Sequence, residues 1–449
     1  MKLNILFLCN KPAAGCNANT IVDHIEAFEH YSEHTIWLCS NLGELPNQLE
    51  LDKFDVIIIH YSLSLLNEKY LSKAAKKRLQ AYTGMKVIFI QDEYRRINDM
   101  VNELAFLNID VLFTCFPTSE FDRIYPPSKL PELSKYNNLT GYVPERLTEF
   151  NNQPLICERS LDVVYRGRKL PYWYGALGHE KWNIVDEWHK HVPKNMLKTD
   201  ISCRETDRIY GNKWVEFLSS ARVTLGVESG ASVMDFTGEL EKHVEHHQLI
   251  HPMDSFHTVQ KKYFLEQEGQ HQLNQISPRC FEAIALKTVL VLYEGEYSDI
   301  LIPWQHYIAL KKDFSNIKDV LALIQDNVYL QNMADTAYQE IALSPYYAYQ
   351  AFIEKFDKII KKEFSERSKV LVLNPYEISI FDTHIRNISF KNRLLKKMMT
   401  IYQGLPFEYR MVIRNVARPT LLMRILLKGM FLFFSKNFNR KKDLLNSDE

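Results

Sequence analysis

Arg279 and Glu282 stand three residues apart in the stretch Ser277-Pro-Arg-Cys-Phe-Glu-Ala-Ile-Ala285. That spacing puts both on one side of a helix, close to its start. Pro278 suits a first helical turn, where its missing N–H would lack a partner anyway, and Ser277 then takes the N-cap. An arginine, a carboxylate and free amides at a helix start can together hold a phosphorylated, hydroxyl-bearing ligand. The same residues also suit a plain surface helix with one weak ion pair. A second basic set, Arg166, Arg168 and Lys169, surrounds Gly167 directly after an apolar run. Guanidinium forks grip phosphate oxygens in two places, so this loop is a further anion candidate, against the plainer reading of a solvated loop. In Gly226-Val-Glu-Ser-Gly230 the glycines allow close backbone approach, which makes Glu228 and Ser229 candidates for contact with a sugar or base. A tight turn would need the same glycines. His60, Asp92 and Glu93 each follow an apolar run in the first third of the chain, and each is a candidate general base for an acceptor hydroxyl. Asp92 equally suits the cap of the next helix.

The elements that must position these residues follow from the apolar pattern. Continuous apolar runs at 3–9, 35–38, 56–59, 87–90 and 111–114 read as strands buried on both faces, with amphipathic segments such as 21–28 and 73–82 between them. That alternation predicts a parallel, doubly wound α/β sheet, whose ligands sit beyond the carboxyl ends of the strands. A polar, proline-bearing stretch at 144–159 reads as a linker. The pattern then restarts, with strands expected at 161–165, 223–227, 288–293 and 306–310 and a long helix at 346–364 closing the second unit. The expected division is 1–150, 160–364 and a tail over 365–449. The loop 11–20 fits neither a dinucleotide fingerprint nor a P-loop.

With 46% hydrophobic and 24% charged residues, the composition is that of a globular chain and excludes a disordered one. Seven dispersed cysteines point to thiols in a reducing compartment rather than a disulfide framework. No secretory leader and no long apolar run is evident, so a cytoplasmic protein is expected. His243 and His247 have the i, i+4 spacing of helical metal ligands, but no cysteine accompanies them and no metal is expected. Zero net charge hides an asymmetry: residues 386–442 hold fourteen Lys and Arg against Glu408 alone. A basic face opposite Leu421, Leu422, Ile425, Leu426 and Phe431, interrupted by Pro419, suits peripheral attachment to the inner face of an anionic membrane, or packing on the protein itself. Nucleic acid is not an expected partner, because no aromatic platform accompanies the charge.

Two α/β units facing a cleft, with a closing helix, resemble the GT-B fold of group-1 glycosyltransferases, in particular the spore-maturation-like branch. The resemblance lies in Asp162-Val-Val-Tyr-Arg-Gly-Arg168, in Arg222-Val-Thr-Leu-Gly-Val-Glu-Ser-Gly230 and in the Ser277–Ala285 segment. It implies that Glu282 reads the hydroxyls of a nucleotide-sugar and that Arg166, Arg168 and Lys169 meet its diphosphate. It also implies a metal-independent transfer to a saccharide or lipid-linked acceptor in surface polysaccharide or glycoconjugate synthesis. The chain departs from the family at Asn274, where a second glutamate is usual, and at Lys287, where a glycine usually ends the helix. Rival expectations on the same architecture are a nucleotide-sugar epimerase and a non-catalytic membrane tether.

Overall fold

Strands apolar on both sides need helices above and below them, and the chain supplies both twice. The computed structural model describes all residues except 14, 16, 150–152, 387–389, 406–408 and 410–449. Strands β1 (Asn4–Cys9), β2 (Thr35–Ser40), β3 (Val56–Ile59), β4 (Met85–Phe89), β5 (Val111–Thr114) and β6 (Ser134–Asn137) form a parallel sheet in the order β2-β1-β3-β4-β5-β6. A second parallel sheet is built from β7 (Leu161–Arg166), β8 (Thr199–Ser202), β9 (Ala221–Gly226) and two later strands. Between them β10 (Ser229–Gly230) and β11 (Asn274–Gln275) pair as a short antiparallel ribbon. With β12 (Val289–Tyr293) and β13 (Tyr307–Leu310) the second sheet runs β13-β12-β9-β7-β8. The expected pair of doubly wound units is therefore present.

Besides the short ribbon, two strands of the parallel sheets escape the apolar pattern, and for one reason. β6 (SKYN) and β8 (TDIS) are edge strands with half-open faces, so neither carries a continuous apolar run. The stretch read as a linker is partly structural: Arg159 is buried and donates to the carbonyls of Ala221 and Leu286 and to Thr288 Oγ1. Those bonds tie the start of the second lobe to its own sheet.

The closing helix corrects the expected domain division. Tyr349–Glu366 packs on the first lobe, not the second. Phe352, Phe356, Ile360 and Phe364 form one stripe, and Phe356 lies 4.9 Å from Phe28 and 5.5 Å from Phe113 between ring centroids. The expected tail from 365 does not start there: residues 372–381 stay with the same lobe, and a separate unit begins at Lys396. Tyr376 and Phe381 pack against Trp37 and Phe54, and Val372 N–H donates to Asp55 at 2.5 Å. The amphipathic pattern expected over 410–442 lies outside the described residues.

Phe356→Ala should destabilise the chain by about 3–5 kcal/mol, the range for emptying a fully buried aromatic site. Urea denaturation of the first lobe measures it; a loss under about 1 kcal/mol would show that the helix is not part of that core.

Candidate active site

The carboxyl ends of the strands of both sheets open onto one cleft. Its inner part is a cavity of about 300 Å³ bounded by Asp92 and Tyr94 from the first lobe and by Arg168, Lys181 and Arg279 from the second. A neighbouring cavity of about 280 Å³ shares Gly167, Arg168, Trp214, Ser277 and Arg279 with it and adds Tyr61, Gln91 and Glu282. Two glycines make this geometry possible. A Cβ on Gly167 would lie 2.5 Å from the Lys181 carbonyl, so only glycine lets the loop after β7 press against the helix Gly175–His191. Gly230 has φ +107 and faces the Leu273 carbonyl, where a Cβ would fall at 1.7 Å; this holds β10 beside β11 at the cavity floor.

Three cations face the cavity. The exposed Arg168 has no hydrogen-bond or ion-pair partner among the described residues. Arg279 leaves the first turn of the helix Pro278–Ala285, donates to the Arg166 carbonyl and lies 5.3 Å from the Trp214 ring centroid. Lys181 points in from the helix Gly175–His191, and burial, with Arg279 and Arg168 adding to it, pushes its ammonium down to about 8. No carboxylate pairs with Lys181 among the described residues, although Asp92 across the cavity opposes the downward shift. The Ser277 hydroxyl makes no capping bond and borders both cavities.

Glu282 is buried at the edge of the second cavity, where Trp214 Nε1 donates to its Oε2 at 2.8 Å. Burial raises its carboxyl to about 7, against the pull of that hydrogen bond and of Arg146 and Arg279. Arg168, Arg279 and Glu282 thus border one cavity. Ser229 borders the inner cavity. Asp92 reaches the same cavity from the opposite lobe, with Oδ1 accepting from Tyr94 Oη at 2.9 Å.

The other candidates are used elsewhere. Glu93 is turned into the first lobe, where its carboxyl oxygens accept from the Thr114 and Tyr125 hydroxyls and from the Cys115 amide at 2.7 Å. His60 is fully buried, 3.0 Å from His24 Nδ1, and burial holds both imidazoles neutral, with His24 pushed down to about 3. Neither can reach an acceptor. Arg166 borders the second cavity but spends its guanidinium on Asp200, the Asp207 carbonyl and the face of Phe217. Lys169 lies over the Trp182 ring at 4.7 Å instead of facing phosphate. Glu228 accepts from Asn274 and from the amides of Glu296 and Tyr297, so it fixes a turn rather than a ligand.

Sequence reasoning missed Lys181, Trp214 and Tyr94. The signal for Lys181 lay in the Gly175-Ala-Leu-Gly178 start of its helix, whose small residues let the helix approach the basic loop. Trp214 was readable as the first bulky residue after Gly211 at the head of a helix. His243 and His247 do not converge: His243 is exposed, while His247 is buried and bonded to Tyr263 and Asp254. Among the described residues, the one His–carboxylate cluster with metal-like spacing is Glu33, His34 and Asp357, and Lys361 already pairs with Glu33 there. No described helix is long and apolar enough to cross a membrane.

No family model and no curated protein matches this chain. Among solved structures it is similar to an alpha-glucosyltransferase in complex with UDP and a 13-mer DNA, at 13% identity and a TM-score of 0.47 over 80% of this chain and 100% of that one. It is similar to an alpha1,3-fucosyltransferase at 10% identity and 0.44, over 84% and 91%. Anabaena HepE in complex with UDP aligns at 10% identity and 0.39, over 82% and 100%. At those values the likeness carries no argument about activity, which must come from the site itself.

Glu93 gives a testable pH dependence. Burial raises its carboxyl from near 4.5 to about 8, so the folded chain keeps a proton that the unfolded chain sheds. Between those values the native state binds more protons, and stability should fall as pH rises. Comparing urea midpoints at about pH 5 and about pH 8 should show a smaller fall in Glu93→Gln than in the parent.

Proposed function

We propose that this protein is a metal-independent glycosyltransferase that takes a sugar from a nucleotide-sugar and passes it to a saccharide or lipid-linked acceptor, in surface polysaccharide or glycoconjugate synthesis. The observation that carries this reading is the meeting of Arg168, Lys181 and Arg279 around one cavity that Asp92 enters from the other lobe. Cleaving the bond between sugar and diphosphate puts growing negative charge on the departing phosphate while the sugar becomes positive. The two guanidinium groups and the ammonium lie where that charge would collect, in a partly enclosed site where each counts for more than in water. Trp214 holds Glu282 Oε2, and Oε1, with no hydrogen-bond partner among the described residues, is open to ribose or sugar hydroxyls. Asp92 is the carboxylate on the acceptor side. In this reading it takes the acceptor proton, or steadies the acceptor hydroxyl where the leaving phosphate takes the proton.

A panel of nucleoside diphosphates and nucleotide-sugars, read by thermal shift, tests the reading directly. Arg279→Ala should weaken diphosphate binding about 10- to 100-fold, the worth of one charge-assisted contact. Glu282 accepts hydroxyls best when ionised, so affinity should drop as pH falls below about 7, and Glu282→Gln should flatten that profile. Asp92→Asn should lower turnover by about 10²- to 10⁴-fold and leave diphosphate affinity unchanged. A chain that no nucleotide stabilises, and that neither transfers nor hydrolyses any donor in the panel, would overturn the proposal.

A further inference from the structure

The helices Glu239–Ile250 and Phe256–Tyr263 form a hairpin beside the cleft whose outer end is apolar. Leu249 is 51%, Ile250 58% and Met253 93% exposed, three large aliphatic side chains within five residues. Apolar tips of this kind mark interaction sites more often than chance. Their surroundings narrow the partner. His243 and His246 continue the exposed face of the first helix above Ile250, at i−7 and i−4. Lys261 and Lys262 are exposed on the second helix, and Lys262 Nζ lies 3.5 Å from His247, one turn from the tip. The acidic side chains of the hairpin are committed: Glu241 to Arg95, Glu245 to Trp173, Asp254 to His247 and Glu239 to Lys242.

We propose that this hairpin end docks on an anionic lipid surface, with Leu249, Ile250 and Met253 entering the headgroup–acyl boundary and the lysines and exposed imidazoles meeting the phosphates around them. Exposed aliphatics ringed by basic side chains match both layers of such an interface. A second copy of this chain fits worse, because a two-fold contact would set the same lysines against one another. The inner face of the hairpin packs on Trp173, whose neighbour Tyr174 borders the inner cavity, so docking leaves the cleft mouth beside the bilayer. A lipid-carried acceptor would then present its headgroup at Asp92; that last link rests on the glycosyltransfer reading, whereas the lipid surface does not.

The fourteen basic side chains of residues 386–442 are a second candidate for contact with lipid, so the test must read the hairpin itself. Full-length Met253→Trp is mixed with vesicles of phosphatidylcholine alone or of equimolar phosphatidylcholine and phosphatidylglycerol, with and without brominated acyl chains. The emission difference from the parent should shift to the blue and be quenched by bromine on the phosphatidylglycerol vesicles only. The triple variant L249S/I250S/M253S should partition about tenfold less onto those vesicles, as expected for losing buried aliphatic surface. Its thermal shift with nucleoside diphosphate should stay as in the parent. Co-sedimentation without quenching at position 253 would assign lipid binding to another segment and overturn the proposal. Equal quenching on pure phosphatidylcholine would overturn the anionic assignment. A blue shift that grows with protein concentration and ignores lipid would point to self-association instead. Docking by a chain that ignores every nucleotide would leave this proposal standing and sink only the functional one.

Discussion

Mutual repulsion among Arg168, Lys181 and Arg279 is the constraint around which the cleft is arranged. Placing positive charges about one small cavity is unfavourable, and the depressed proton affinity of Lys181, due first to burial, carries a further share from Arg279 and Arg168. The fold holds them there by fixing their supports. The Arg166 carbonyl and the Trp214 ring hold Arg279, and the helix Gly175–His191 is pressed against Gly167 so that Lys181 cannot withdraw. Under the glycosyltransfer reading, an incoming diphosphate would relieve the repulsion.

The second organising feature is the division between groups that face the cleft and groups that only border it. Arg166 and Arg168 are two residues apart in an extended segment, yet they do opposite things. Arg166 is a structural clamp on Asp200 and Phe217, while Arg168 is open to the cavity. Asp92 and Glu93 divide in the same way, in the turn that follows β4, where the Glu93 amide bonds the Gln91 carbonyl. One reaches the cleft; the other becomes an interior carboxyl satisfied by two hydroxyls and an amide.

Much of this was legible in the chain alone. The two doubly wound sheets follow from apolar runs, and the crevice with Arg279 and Glu282 follows from helix spacing after Ser277-Pro278. What was not legible depends on contacts between distant segments. Periodicity predicts the helix Tyr349–Glu366 but not that Phe356 meets Phe28. His60 stands at a strand end, as a catalytic histidine would, and the arrival of His24 from the helix Asn19–Tyr31, well before it in the chain, makes it part of the core. Lys287 shows the converse. It takes the left-handed backbone (φ 52) that a glycine would adopt more easily, and its ammonium reaches Asp335 at 2.8 Å.

The two lobes are stitched unevenly. On the side of the cleft near Asp235, Arg95 bonds Glu241 at 2.6 Å, the Asn98 amide bonds the Phe236 carbonyl at 2.9 Å, and Gln275 Nε2 reaches the Cys115 carbonyl at 2.6 Å. On the far side Asn19 Nδ2 meets the Gly211 carbonyl at 3.4 Å, and Arg146, whose neighbour Leu147 lies in the second-lobe core, donates to Asp23 at 2.7 and 2.8 Å. Bonds thus pin the lobes at both margins of the cleft, and among the described residues the Gly211 margin depends on a single ion pair, Arg146 with Asp23, that salt can screen.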